Sequence, residues 1–225
     1  IIVHEVARLE RILRDTLTFS REAKFHFRYA DMNDLLALTE AKFAELCREN
    51  GVLITLRPAP GLPPCIVDED QIRQALDNLV TNAIDAMTGG GTLTLATRTA
   101  CENGTRFVVI DVADTGPGIP PDLASRVFEP FYSTKEIGHG TGLGLSICKK
   151  IMEEHRGSIR VAAAPGGGGM FSLFIPYIPV EEIFKAQCWE IMRCGVESPG
   201  NAAESCPAFP NYGRICWSVA GTFSE

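Results

Sequence analysis

The chain has 225 residues, 45% of them hydrophobic and 22% charged, enough for one well-buried core and a small second unit. Its formal net charge of −7, with no cluster of lysines and arginines, excludes a surface built for phosphate backbones, so no nucleic-acid partner is expected. No apolar run approaches the roughly eighteen residues that span a bilayer and no signal-like segment opens the chain, so it reads as a cytoplasmic, globular piece of a longer protein whose upstream parts, a membrane anchor included, lie outside it.

From Ile2, the residues Val6, Leu9, Leu13 and Leu17 recur at helical spacing among Glu5, Arg8, Glu10, Arg11 and Arg14, which predicts an amphipathic helix with a coiled-coil-like seam. Such a stripe needs a partner, and a second copy of the chain is the simplest. Phe25, Phe27 and Tyr29 alternate with polar residues as a short strand would, and Asp31 is placed to cap a helix that runs to Asn50 and ends at Gly51. Val52 to Leu56 reads as a strand, Pro58 to Pro64 as a loop, and Cys65 to Val67 as another short strand. Asp68 with Gln71 has the shape of a capping box and opens a helix that Gly89, Gly90 and Gly91 terminate. Thr92 to Ala100 and Thr105 to Asp111 form a hairpin turned at Asn103-Gly104. Leu143 to about His155 is helical, closed by Gly157, and strands at Ser158 to Ala163 and Met170 to Ile175 are joined by the glycines from Gly166 to Gly169. This order lacks the strict alternation of a doubly wound sheet. It favours an α+β fold, a two-layer sandwich whose mixed sheet is covered on one face by helices. Pro176 and Pro179 mark a boundary near residue 178, dividing the chain into segments 1–24, 25–178 and 179–225.

Three segments carry chemistry. Asn78-Leu-Val-Thr-Asn82-Ala-Ile-Asp85-Ala86 sets two asparagines at i and i+4 on one helix face. Asp114-Thr-Gly116-Pro-Gly118-Ile119 follows an apolar strand, so the Asp114 carboxylate emerges at a strand end, where it can accept from the exocyclic amine of a base; Gly116 and Gly118 would let the backbone approach that base. Gly138-His139-Gly140-Thr141-Gly142-Leu143-Gly144-Leu145 offers backbone N–H groups and a helix start to anionic oxygens. An asparagine carbonyl also suits Mg²⁺, which takes one or two protein oxygens and leaves the rest to water and phosphate.

Together these segments resemble the ATP-binding domain of bacterial sensor histidine kinases. The resemblance implies a Bergerat-type fold that binds ATP and Mg²⁺, with the metal on Asn82, Asn78 beside the phosphates and Asp114 reading adenine. It extends the contact set to Asp85, Gly116, Gly118, Ile119, Phe131, Lys135, Gly140, Thr141, Gly142, Leu143 and Gly144. Phe128-Glu-Pro-Phe131-Tyr-Ser-Thr-Lys135 matches the phenylalanine box of these kinases. By the same resemblance the segment from there to Gly144 is a mobile lid, anchored by Phe128 and Phe131, with Lys135 reaching the terminal phosphate. His139 takes no role.

Gyrase, mismatch-repair and heat-shock ATPases resemble this chain in both loops but place a glutamate, a general base, four residues before the metal-binding asparagine. That position is Asn78 here, and an amide takes no proton. A neutral imidazole is already nucleophilic, so Asn78 favours phosphoryl transfer to histidine over hydrolysis. The alternatives are an ATPase switch of the gyrase or mismatch-repair type, and a cysteine-based metal or redox sensor with a nucleotide-binding regulatory domain. His4-Glu5 lacks the proline expected after an acceptor histidine, and Glu5 to Arg21 instead resembles the second helix of a dimerising hairpin. The resemblance therefore implies an acceptor histidine outside this chain, a homodimer in the full-length protein, and a response regulator receiver domain as partner.

Cys47, Cys65, Cys101 and Cys148 fall in periodic segments and read as buried free thiols. Cys188, Cys194, Cys206 and Cys216, with two Cys-Trp dipeptides, resemble a two-CW module. Four thiolates can hold Zn²⁺ or an iron–sulfur cluster, can pair as disulfides, or can simply pack; the lack of a C-x-x-C weakens the zinc reading and leaves the three open.

Overall fold

Two aspartates set the starts of the two long helices in the computed structural model, which describes residues 25–120, 122–132 and 141–178. Asp31 accepts from the N–H of Asn33 at 2.8 Å and opens α1 (Met32–Glu49). Asp68 accepts from the N–H groups of Asp70 at 3.0 Å and Gln71 at 3.1 Å and opens α2 (Glu69–Ala86). Each cap satisfies donors that the first helical turn leaves without an intrahelical partner, and is worth about 1 kcal/mol. The reciprocal half of the expected capping box is replaced. The N–H of Asp68 donates to Nε2 of His155 at 3.0 Å, so an imidazole 87 residues along the chain takes the part expected of Gln71.

β1 (Arg28–Ala30) and β3 (Cys65–Val67) pair antiparallel as a small ribbon. The main sheet contains β2 (Val52–Arg57), β4 (Gly91–Glu102), β5 (Thr105–Asp114), β6 (Ser158–Ala163) and β7 (Gly169–Pro176), in the order β2-β4-β5-β7-β6. β2 runs parallel to β4 and the other neighbours are antiparallel, which makes the sheet mixed. α3 (Gly144–Glu154) lies between β5 and β6 in the chain.

The period-2 alternation of the strands decides what each face of the sheet meets. Leu93 and Leu95 of β4, Val108, Ile110 and Val112 of β5, and Leu173 and Ile175 of β7 enter one core with Leu35 and Leu36 of α1, Leu76 and Leu79 of α2, and Ile147 and Ile151 of α3. The intervening residues form the other face, where polar groups stand beside Val109, Phe107 and Phe174. There Arg98 Nε donates to Asp111 Oδ2 at 2.7 Å, Ser172 Oγ donates to Asp111 Oδ1 at 2.5 Å, and the Arg160 guanidinium lies 4.0 Å from the Phe174 ring centre. The result is an α+β sandwich with its helices on one face of a mixed five-stranded sheet.

Three expectations change. Phe25 and Phe27 do not extend the first strand: their rings stack at 5.6 Å and lie 6.2 and 5.1 Å from the His155 ring, so burial against an imidazole replaces strand pairing. β4 continues to Glu102 and β5 to Asp114, because a hairpin register running from Glu102↔Thr105 to Leu93↔Asp114 keeps backbone groups paired beyond the apolar stretch. Cys47, Cys65 and Cys148 are buried, but Cys101, paired with Arg106 two residues from the Asn103-Gly104 turn, is exposed.

Among the described residues no helix is long and apolar enough to cross a membrane. They belong, up to Tyr177, to one compact unit. His4 with the N-terminal amphipathic segment, and Cys188, Cys194, Cys206 and Cys216, lie outside the described residues.

Candidate functional site

β5 ends on Asp114, which is 7% exposed, and its carboxylate is held from two directions. Oδ1 accepts from the N–H of Gly116 at 2.8 Å and from the N–H of Gly169, the first residue of β7, at 3.2 Å. The contacts supply a reason for the neighbouring glycines other than approach to a base. A Cβ on Gly116 would meet Asp114 Oδ1 at 2.9 Å and the Ala86 carbonyl at 3.3 Å, and one on Gly118 would meet the Gly168 carbonyl at 3.0 Å. Both glycines thus seat the carboxylate and the β6–β7 turn. Beside them, Thr115 Oγ1 accepts from the N–H of Thr92 at 2.9 Å, tying the loop to the start of β4. Ile119 is half-buried against the main core.

Asn78 and Asn82 sit one turn apart on α2, and both lie beside the first residue of α3. A Cβ on Gly144 would be 3.8 Å from Asn78 Cγ and 3.8 Å from Asn82 Nδ2. Asn78 Nδ2 donates to the Gly144 carbonyl at 3.3 Å, and the same side chain is hydrogen-bonded to the Cys148 thiol, so Asn78 ties α2 to α3. Asp85 lies a turn further along α2 and is exposed. Leu143 is buried, and its N–H donates to Thr141 Oγ1 at 3.3 Å; no side chain caps α3. The partial positive charge of that helix start therefore stands beside two amide side chains. Amide oxygens for a hard cation, an uncapped helix N-terminus and a side-chain-free junction are a donor set that fits a Mg²⁺–nucleotide.

The phenylalanine segment is anchored differently from the expectation. Phe128 meets Phe171 edge-on, with ring centres 6.3 Å apart, and packs against the core. Phe131 is no apolar anchor: its ring is 73% exposed and its φ of 66° is a conformation that strains a bulky residue by about 1–3 kcal/mol. The backbone holds it instead. The Phe131 N–H donates to the Gly142 carbonyl at 2.9 Å, and Gly142, at φ +67°, comes so close that a Cβ would meet Phe131 C at 2.5 Å. This contact fixes both ends of the segment between them. Lys135, His139 and Gly140 fall in residues 133–140, outside the described residues.

Two participants are not evident from the motifs. His155, 6% exposed, has Nδ1 at 2.7 Å from the Ile151 carbonyl and Nε2 accepting from Asp68, so Nδ1 carries the proton of a neutral ring. Burial lowers its pKa against the raising effects of the Ile151 carbonyl, Asp68 and Glu154. Asp68 Oδ2 also accepts from the N–H of His26 at 2.8 Å, so one cluster joins the start of α2, the end of α3 and the chain entering β1. The other participant is the end of the glycine turn, Gly168 and Gly169, which meets Asp114. Its available signal was length: four consecutive glycines exceed what a hairpin turn requires.

The family described as Histidine kinase-, DNA gyrase B-, and HSP90-like ATPase matches residues 67–179, which hold both asparagines, Asp114 and both glycine-rich loops, and the chain belongs to that family. It is 31% identical over 176 residues to sensor histidine kinase ZraS of Klebsiella oxytoca, covering 78% of this chain and 37% of that protein. It is 36% identical over 190 residues to sensory histidine kinase/phosphatase NtrB of Rhodobacter capsulatus, covering 80% and 52%. Among solved structures, histidine kinase ThkA in complex with response regulator protein TrrA aligns with a TM-score of 0.66 and 32% identity, over 80% of this chain and 50% of that one. Full-length ShkA in complex with AMPPNP aligns at 0.65 and 29%, over 76% and 37%. Residues of this chain thus form the ATP-binding catalytic domain of a sensor histidine kinase. The chain spans 37% of ZraS and 52% of NtrB, about a third to a half of the length of these curated relatives.

Proposed function

We propose that this Bergerat-type domain transfers the γ-phosphate of ATP to a histidine outside residues 25–178, on a dimerising helical hairpin of which segment 1–24 supplies the second helix. The observation that carries this is Asn78. An amide stands four residues before Asn82, where a water-activating ATPase needs a carboxylate, and it is already committed to Gly144 and Cys148. Asn82 would hold Mg²⁺ through its carbonyl oxygen, and the bound ion would neutralise phosphate charge. Asp114 would read the base with Ile119 beside it. The start of α3, from Thr141 through Gly144, would receive the phosphates together with Gly140 and Lys135, and Asp85 would border the site. Catalysis of this kind is positioning and electrostatics, since the histidine nucleophile needs no activating base.

A response regulator receiver domain is the onward acceptor in this reading, which the complex of ThkA with TrrA supports, and the need for ATP supports a cytoplasmic location. Segment 179–225 is proposed as an attached two-CW-like cysteine module, with Cys188, Cys194, Cys206 and Cys216 holding Zn²⁺ or an iron–sulfur cluster, or forming disulfides. The test mixes the purified chain with a separately made hairpin bearing the acceptor histidine and labelled ATP. Acid-labile label on the hairpin is expected. Steady phosphate release that is indifferent to Asn78→Ala, with no label transferred, would replace the kinase reading with an ATPase switch.

A further inference from the structure

The β6–β7 turn is more than a connection between strands. Gly166, Gly167 and Gly168 all have positive φ, at 98°, 101° and 89°. A Cβ on Gly166 or Gly167 would meet nothing within 4 Å, whereas one on Gly168 would fall 1.9 Å from the backbone oxygen of Asp114 and 2.9 Å from Thr115 Cα. The turn therefore meets the Asp114 loop through Gly168 and Gly169, and not through Gly166 or Gly167. From the other side, the Gly168 carbonyl lies where a Cβ on Gly118 would meet it at 3.0 Å. The same carbonyl accepts from the N–H of Ala164 at 3.1 Å, which fixes the turn to the end of β6.

This close seating delivers the N–H of Gly169 to Asp114 Oδ1, an oxygen that already accepts from Gly116. Two backbone donors, 53 residues apart in the chain, thus saturate one oxygen and set the plane of the carboxyl group. Oδ2 is the oxygen left for a ligand, and a Cβ on Gly169 would sit only 3.1 Å from it. We infer that the Gly168–Gly169 turn is a positioning element that sets base selectivity, by holding Asp114 so that Oδ2 faces the 6-position of a purine. The inference rests on the ATP-binding reading and deepens it. An oxygen held there accepts from a 6-amino group and repels a 6-oxo group, because the latter presents a second acceptor. A carboxyl group free to rotate would lose that discrimination.

The test compares calorimetric titrations of the whole chain with ADP and with inosine diphosphate, whose base carries oxygen in place of the amine. Gly167→Ala and Gly168→Ala impose the same kind of backbone strain in one turn, but only the second collides with Asp114. Gly167→Ala is expected to keep both affinities within about twofold of the wild type, while Gly168→Ala weakens ADP by about tenfold or more and inosine diphosphate by much less, collapsing the ratio between them. Gly169→Pro removes the donor to Oδ1 without adding a side chain at Gly168, so it should collapse the same ratio even if Gly168→Ala does not fold. Equal losses for both nucleotides, or equal effects of the two alanine variants, overturn the inference and leave the nucleotide site standing. A wild-type chain that binds neither nucleotide overturns the site itself and the inference with it.

Discussion

Asp114 is useful as a residue only through the atom it leaves available. Asp114→Asn can still offer Oδ1 to Gly116 and Gly169, but it puts an amide donor where Oδ2 stood, facing a base amine that is also a donor. A hydrogen bond to a charged group is worth about 1.5–3 kcal/mol, so ATP should bind about 10–100-fold more weakly, measured calorimetrically, with a melting temperature close to that of the wild type. Thiol chemistry is a second question at this scale. Burial pushes the thiols of Cys65 and Cys148 up to about 12 and raises that of Cys47 as well, while Cys101 is exposed. Only a thiolate attacks an alkylating agent. Native-state treatment with iodoacetamide at pH 8, followed by peptide mapping, should label Cys101 and spare Cys47, Cys65 and Cys148; guanidinium should abolish the difference. Labelling of Cys148 in the folded chain would contradict its place between α2 and α3.

Elements depend on contacts that join their ends. His155 serves the N-terminus of α2 from the C-terminus of α3, and its burial lowers its pKa below the value of about 6.5 that an unfolded histidine shows. The sign follows from proton uptake. Well above pH 6.5 the ring is neutral in both states and contributes no pH dependence; as the pH falls through that value the unfolded chain takes the proton first, and stability drops until the lower native pKa is reached. The melting temperature should therefore fall between pH 7 and pH 5 more steeply in the wild type than in His155→Gln, whose amide oxygen can accept from Asp68 without titrating. Parallel curves would remove His155 as the cause. Packing makes a separate contrast: Leu79 of α2 is fully buried and Leu53 of β2 is 65% exposed. In urea unfolding, Leu79→Ala should cost about 2–5 kcal/mol and Leu53→Ala no more than about 0.5 kcal/mol.

For the whole molecule, nucleotide binding and folding are linked. A ligand present at a hundred times its Kd stabilises the native state by about 2.7 kcal/mol, so ATP with Mg²⁺ should raise the melting temperature of the chain by several degrees. Asn82→Ala should erase the part of that rise that requires Mg²⁺ and keep the part that does not. A Mg²⁺-dependent rise that persists in the variant would move the metal off Asn82. The same chain should bind ATP without labelling itself, because the acceptor histidine is proposed to lie on another segment.

Much of this protein follows from its sequence. Periodicity marked the three described helices and most strands, Asp31 and Asp68 marked the helix starts, and Asn78, Asn82, Asp114 and the glycine loops pointed to a nucleotide domain, because capping, amphipathic spacing and glycine-rich turns are written in residues close along the chain. The partners of those residues were decided only in three dimensions. Asp114 is held by Gly169, 55 residues away; the N–H of Asp68 donates to His155 rather than to the Gln71 side chain; and Phe131 is held through its backbone while its ring faces solvent. Each of these is a hydrogen bond or contact between segments that meet only when the sheet and helices close on one core. Spacing along a chain encodes the period of an element, and it carries no information about which distant backbone donor will reach a given oxygen.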